Sequence, residues 1–218
     1  MKVSIIIIVV KDRGWLDEAI RSALNQDYND YEIILASDGN PGMKKYANKY
    51  GLKFSLSNGN RLSINFNKAA KIAKGEFLKP LADDDLLTPN CLKDSIMNIQ
   101  DNALLYANAI NFLGKSEKIY KPPMKENFEK LLKKRSSYIH GGTILFRTDV
   151  FLKCGGWDGE LKSCEEYDFY LNLLSKGYKF TYLDKVVYKY RIHNRQKSHI
   201  ANSPERIKDK NYIYNKYS

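Results

Sequence analysis

Three consecutive aspartates, Asp83-Asp84-Asp85, follow an apolar run that reaches Leu81. Carboxylates at the end of a buried strand are costly unless a cation or hydrogen-bond donors neutralise them. Hard divalent ions such as Mg2+ and Mn2+ take oxygen ligands, usually one or two carboxylates plus the phosphates of a substrate. A metal held against a diphosphate makes it a better leaving group by neutralising its charge. The competing reading is a solvated turn that caps the helix expected after Pro89. Two further polar clusters, Lys11-Asp12-Arg13 and Ser37-Asp38-Gly39-Asn40, close apolar runs in the same manner. The chain has neither a P-loop glycine motif nor a GxGxxG turn, which argues against a P-loop NTPase and a Rossmann dehydrogenase. Phosphates would be held by metal and side chains instead.

These clusters need elements to bring them together. Residues 3–10 are nearly all β-branched or apolar, as expected of a parallel strand buried on both faces. Leu16, Ala19, Ile20, Ala23 and Leu24 then fall at helical spacing, with Asp17 and Glu18 in the first turn, where acids favour a helix start. Strands are expected over residues 31–36, 53–56 and 76–81, with helices over about 43–50, 63–73 and 89–100. Strands alternating with helices form βαβ units and a mainly parallel sheet, and ligands bind beyond the carboxyl ends of its strands. All three polar clusters sit at such ends. The second half is less regular. Strands are expected over 104–110, 140–146 and, in pieces, 178–190, with a basic helix over 125–135 and helices over 165–176 and 204–217. No repeat or second core is visible, so one domain is expected over 1–218, with a nucleotide-binding half (1–110) and an acceptor-binding half (111–200). The helical, basic ending (201–218) is compatible with continuation into a further domain.

The 218 residues carry 36 Lys plus Arg against 25 Asp plus Glu, a net charge of +11. With 43% hydrophobic residues the chain can bury a core and is no disordered polycation. The excess is local: residues 111–153 hold 10 basic and 4 acidic side chains, and residues 185–218 hold 9 and 2. Such a basic rim attracts phosphates, anionic headgroups or nucleic acid, or is simply a solvated surface. Cys91, Cys154 and Cys164 form no CxxC pair, which fits a reducing compartment and no disulfide framework. The run at residues 3–10 is far short of the roughly 20 residues that span a bilayer. Met1-Lys2 before it is superficially leader-like, but the run ends in Lys11-Asp12-Arg13 with no small-residue cleavage site.

In order along the chain, several motifs resemble those of the family-2 glycosyltransferases of the GT-A fold. They are Val3-Ser4-Ile5-Ile6-Ile7, Asn25-Gln26-Asp27-Tyr28, Ser37-Asp38-Gly39-Asn40, Asn67, Ala73-Lys74-Gly75-Glu76-Phe77 and Asp83-Asp84-Asp85. Gly155-Gly156-Trp157-Asp158, Glu165-Glu166-Tyr167-Asp168 and Tyr190-Arg191-Ile192-His193 follow. The resemblance implies a single GT-A-like α/β domain that moves a sugar from a nucleotide-diphospho-sugar to an acceptor hydroxyl with inversion. It implies donor contacts from Val9 and Val10 (through the backbone), Asp38, Arg61, Asp83 and Asp84. A carboxylate at Asp38 can accept from an imide N–H, which favours a UDP-sugar. Asp84, Asp85 and His193 are implied as holders of Mn2+ or Mg2+, and Trp157 and Asp158 as acceptor contacts. The base that takes the acceptor's proton falls on Glu166, with Glu165 beside it; acids entering a helix would also serve as dipole partners. The sequence departs from the family pattern at Ala82, Glu166 and Ile8-Val9-Val10-Lys11, where the family often has Asp, Asp and Pro-Thr-Tyr-Asn.

The expected activity is therefore metal-assisted glycosyl transfer to a glycan or lipid-linked saccharide by a cytoplasmic protein, with peripheral contact to an anionic membrane through the basic segments. Two other readings remain open from the residues alone. A nucleotidyltransferase could also use aspartates and a metal beside a βαβ sheet. A nucleic-acid binder would explain the charge and the 16 tyrosines, but acids at the pocket would repel a phosphate backbone, and no nucleic-acid partner is expected.

Overall fold

The computed structural model describes residues 1–58, 61–124, 127–196 and 203–218. Its centre is β1 (Val3–Val9), every residue of which is buried. Alternate side chains of a strand point to opposite faces, and here Ile5, Ile7 and Val9 enter one core while Ile6 and Ile8 enter the other. Each such isoleucine contributes roughly 2 kcal/mol by burial. α1 (Leu16–Leu24), α2 (Lys44–Tyr50) and α4 (Cys91–Asn98) cover the first face. α3 (Leu62–Ile72), α5 (Phe128–Lys134), α6 (Thr148–Lys153), α7 (Glu165–Ser175) and α8 (Pro204–Tyr217) cover the second.

Around β1 lie β2 (Tyr31–Asp38), β3 (Lys53–Ser57) and β4 (Phe77–Ala82), all parallel. The same sheet continues through β8 (Leu145–Arg147), β6 (Leu104–Leu113), β9 (Phe180–Arg191) and the two-residue β5 (Leu86–Leu87). β6 and β9 are parallel, while β8 and β5 run antiparallel to their neighbours. β7 (Ser116–Tyr120) pairs with β6 as a hairpin. The long ladders are thus parallel, except in that hairpin, and the architecture is a three-layer α/β sandwich.

Several expected elements take a different form. A strand over 140–146 is expected, but the backbone makes a tight 3-10 turn at Gly141–Thr143 before the short β8. A Cβ at position 142 would run into the Tyr188 ring, so only glycine permits this approach. The helix after Pro89 starts at Cys91, because Leu86–Leu87 pairs with β9 first. The basic helix starts at Phe128, where the Asn127 side chain accepts from the Lys130 N–H as an N-cap; residues 125 and 126 lie outside the described residues. The β7 hairpin and α6 have no counterpart in the expected elements. β9 is one strand whose pairing with β6 shifts register at Ala107, Asn108 and Ala109.

Candidate active site

The C-terminal end of β4 delivers the aspartate triplet; Asp83 and Asp84 share Arg13, whereas Asp85 has partners of its own. Arg13, from the loop after β1, places Nη2 2.6 Å from Asp83 Oδ1 and 3.0 Å from Asp84 Oδ2. His193 Nε2 lies 3.0 Å from the same Asp84 oxygen. The Arg195 backbone N–H donates to His193 Nδ1, which leaves the ring proton on Nε2, directed at Asp84. The ring packs against Trp15 with centroids 4.5 Å apart. Asp85 is turned to β9: it accepts from the Tyr188 hydroxyl and the Arg191 N–H, each at 2.8 Å. Arg191 also donates Nε to the Asp84 carbonyl and Nη2 to Glu18. Burial pushes Asp83 up to about 7, with Asp84 adding to the rise and Arg13 opposing it. Burial and Asp84 push Asp85 up to about 8 against its two donors. The cluster thus carries the electrostatic load expected of buried acids, and added positive charge relieves it.

These acids open on a cavity of about 490 Å3. Another part of its wall is the start of α7, with Glu165 buried and Glu166 half-buried. The chain enters α7 through Cys164 at φ 63, a left-handed residue that turns both acids into the first helical turn. A Cβ at Gly141 would sit 2.7 Å from Glu166 Oε1, so the glycine makes room for that carboxylate. Asp168 turns the other way and is held by Lys216 at 2.9 and 3.1 Å. Trp157 also lines the cavity, stacked on Phe66 at 4.2 Å. Its backbone is clamped by the Asn67 amide at 2.7 and 3.0 Å, an approach that Gly156 permits with φ 72 and no Cβ.

Beneath the cavity lies a group that the sequence reading does not single out. Lys79, inside β4, is fully buried and donates to the carbonyls of Gly142 at 2.5 Å and Ile144 at 3.1 Å. Its ammonium also lies 5.5 Å from the centre of the Tyr188 ring. Burial lowers its pKa. His140 accepts the Gly142 N–H at Nδ1 and packs on Tyr188 and Tyr190; burial, with Lys79 nearby, lowers it to about 4. This seam couples the Gly141 turn, next to Glu166, to Tyr188, which holds Asp85.

The remaining predicted residues divide. Val10 lines the cavity, whereas Val9 is buried in β1 beside it. Asp38 is buried at the end of β2 and accepts from Ser57 Oγ at 3.1 Å. Arg61 donates to the Gly159 carbonyl and lies 3.6 Å from Glu160. Asp158 accepts from Tyr212 and Lys216 of α8 and from the Glu160 N–H. Asp38, Arg61 and Asp158 do not line the cavity that holds the triplet and Glu166. Among the described residues no three His, Cys, Asp or Glu side chains form a metal-holding group, and no helix is long and apolar enough to cross a membrane.

Residues 4–155 match the model of glycosyl transferase family 2. The chain belongs to that family. It is 35% identical over 214 residues to an uncharacterized glycosyltransferase of Rickettsia typhi, across 91% of this chain and 66% of the relative. It is 30% identical to the O-antigen biosynthesis glycosyltransferase WbnJ of Escherichia coli, covering 91% of this chain and 84% of WbnJ. The chain thus spans just under two thirds of the rickettsial protein. The fold is that of S. aureus TarS 1-349, solved in complex with UDP-GlcNAc, with a TM-score of 0.73 at 22% identity over 93% of this chain and 61% of that one. Family membership accounts for the ordered motifs and favours glycosyl transfer over the nucleotidyltransferase reading.

Proposed function

We propose that this family-2 member is an inverting glycosyltransferase that moves a sugar from a UDP-sugar to an acceptor hydroxyl on a glycan or lipid-linked saccharide. The observation that carries the reading is Asp84, shared by Arg13 and His193 at the end of β4, in one cavity with Glu166. TarS has been solved with UDP-GlcNAc, a donor of the proposed class. Asp38, buried at the end of β2, is the proposed acceptor for the uracil imide N–H, a role the family resemblance supports.

One carboxylate pair and substrate phosphates suffice for Mg2+ or Mn2+, and Asp84 with Asp83 supplies the oxygens. When bound, the ion neutralises charge on the diphosphate leaving group. His193 carries its proton on Nε2, which suits it to donate to the diphosphate. Asp85 keeps β9 and Arg191 in place. Arg13 shifts from the aspartates toward phosphate as the donor enters. Glu166 accepts the acceptor hydroxyl proton while the acceptor oxygen bonds to the anomeric carbon and the sugar–diphosphate bond breaks. Glu165, the more buried acid, supports the turn.

We place the protein in the cytoplasm, in keeping with three free cysteines, with the basic segments against an anionic membrane surface and no nucleic-acid partner. A panel of UDP-sugars with Mn2+ and mixed saccharide acceptors tests the activity. Release of UDP with a glycosylated product is expected; pyrophosphate release from UTP, with no UDP from any sugar donor, overturns it.

A further inference from the structure

The cavity wall away from the aspartates carries three cations that the donor chemistry does not use. Arg206 and Lys210 stand four residues apart on α8, and so share a face; Arg135 closes α5 at φ 52. All three line the cavity. Among the described residues none of them forms an ion pair. The Arg135 side chain donates to the neutral Asn211 amide and stacks on Tyr214 at 4.1 Å. Arg206 Nε is buried and has no acceptor.

Four acids of α8, α7 and the loop before α7 are engaged elsewhere, whereas Glu165 and Glu166 line the same cavity as the three cations. Asp209 accepts from the Lys162 and Ser163 N–H groups and from Ser163 Oγ. Glu205 pairs with Lys162, and Asp158 and Asp168 with Lys216. The charges of Arg206 and Lys210 both reach Cys164, where they oppose the burial that raises its thiol. Cys164, which also feels the opposing charge of Glu165, directly precedes Glu165 and Glu166, so the cations lie beside the proposed base. Guanidinium groups and an ammonium around one cavity match the geometry and charge of phosphate oxygens.

We propose that Arg135, Arg206 and Lys210 form an acceptor subsite for a phosphate group carried close to the hydroxyl that is glycosylated. The inference rests on the glycosyltransferase reading and adds a substrate class to it: a phosphorylated acceptor, either a soluble phosphate ester or a phospholipid-linked saccharide.

The test is calorimetric titration of inorganic phosphate into the wild type, Asp84→Asn and the Arg206→Gln/Lys210→Gln double variant, each verified by circular dichroism. UDP with Mg2+ is titrated in parallel. The expected result is equal phosphate affinity for wild type and Asp84→Asn within twofold, and at least tenfold weaker binding to the double variant. UDP affinity of the double variant stays within twofold of wild type. Unchanged phosphate binding in the double variant overturns the subsite. An equal loss of UDP affinity overturns it too, because it assigns the cations to the donor diphosphate. Failure of UDP to bind the wild type, with the phosphate pattern intact, removes the donor reading and leaves the anion site. Sedimentation with phosphatidic-acid vesicles that the double variant abolishes assigns a lipid source. Competition by glucose 6-phosphate without sedimentation assigns a soluble one; both outcomes support the subsite.

Discussion

On the donor wall of the cavity every carboxylate of the Asp83–Asp85 triplet has a named partner, and Arg13 already supplies a cation. On the other wall Arg135, Arg206 and Lys210 form no ion pair among the described residues, although Glu165 and Glu166 share the cavity with them. The donor wall is built from the ends of parallel strands, whose positions the sheet sets together. The opposite wall is built from helix ends and a glycine turn, and its cations are the proposed phosphate subsite. The difference suggests a division of labour: one wall is prearranged for a constant diphosphate, and the other carries the specificity.

The largest effect expected from breaking this arrangement lies where the walls meet the chemistry. Glu166→Gln should lower turnover by roughly 10^2- to 10^4-fold, the usual worth of a general base, while UDP affinity stays within twofold; Glu165→Gln should cost far less turnover. Stopped assays with saturating donor read both. Equal losses for the two variants would mean that the pair acts as a structural helix start.

Next in size is the seam between the walls. Lys79→Met removes the donor to the Gly142 and Ile144 carbonyls, and leaving such acceptors buried and unsatisfied costs about 1–3 kcal/mol. A domain of this size should then melt several degrees lower. An unchanged melting temperature would show that the turn holds itself.

His140 gives the same seam a pH signature. Its folded pKa is depressed to about 4 from the usual value near 6.5. The unfolded chain therefore binds the extra proton between those values. The contribution of His140 to stability is complete above about pH 6.5 and is lost as pH falls toward 4, roughly 2 kcal/mol of it by pH 5. Burial raises Asp83 and Asp85, and these act in the opposite direction. The comparison of wild type with His140→Gln isolates the histidine: the variant should lose less stability than wild type in melts at pH 7 and pH 5. Parallel losses would place His140 in water.

The smallest change sharpens the account furthest. Gly141→Ala adds a Cβ whose nearest neighbours are Glu166 side-chain atoms, with the carboxylate Oε1 nearest at 2.7 Å. That carboxylate can swing aside, so the melting temperature should hold while turnover drops about tenfold, the scale expected for a misplaced catalytic group. A stable variant with full turnover would remove Glu166 from the chemistry.

The donor wall was legible because its signals are local. The β-branched run of β1 and the acids after β4 each announce a strand and its end, and the alternation of strands and helices implies that these ends lie together; the turn after β2 was equally legible but its Asp38 lies outside the cavity. The Glu165-Glu166 pair was legible through the family's motif order. Lys79 was not, because a lysine within an apolar strand reads as a solvated edge residue until the Gly142 and Ile144 carbonyls arrive from more than sixty positions away. The Gly141 turn looked like a strand because its apolar neighbours hide the approach of Tyr188. Arg206 and Lys210 were visible only as charge. Their place in the cavity depends on α8 docking through Ile213, which no short pattern encodes.

The most direct test of the donor site is calorimetric titration of UDP into wild type and Asp84→Asn, each with Mn2+ and with chelator. The account predicts binding to the wild type that weakens by about a hundredfold, the scale reached when metal and phosphate contacts are lost together, in the variant or on chelation. UDP binding that ignores both Asp84 and the metal would contradict it.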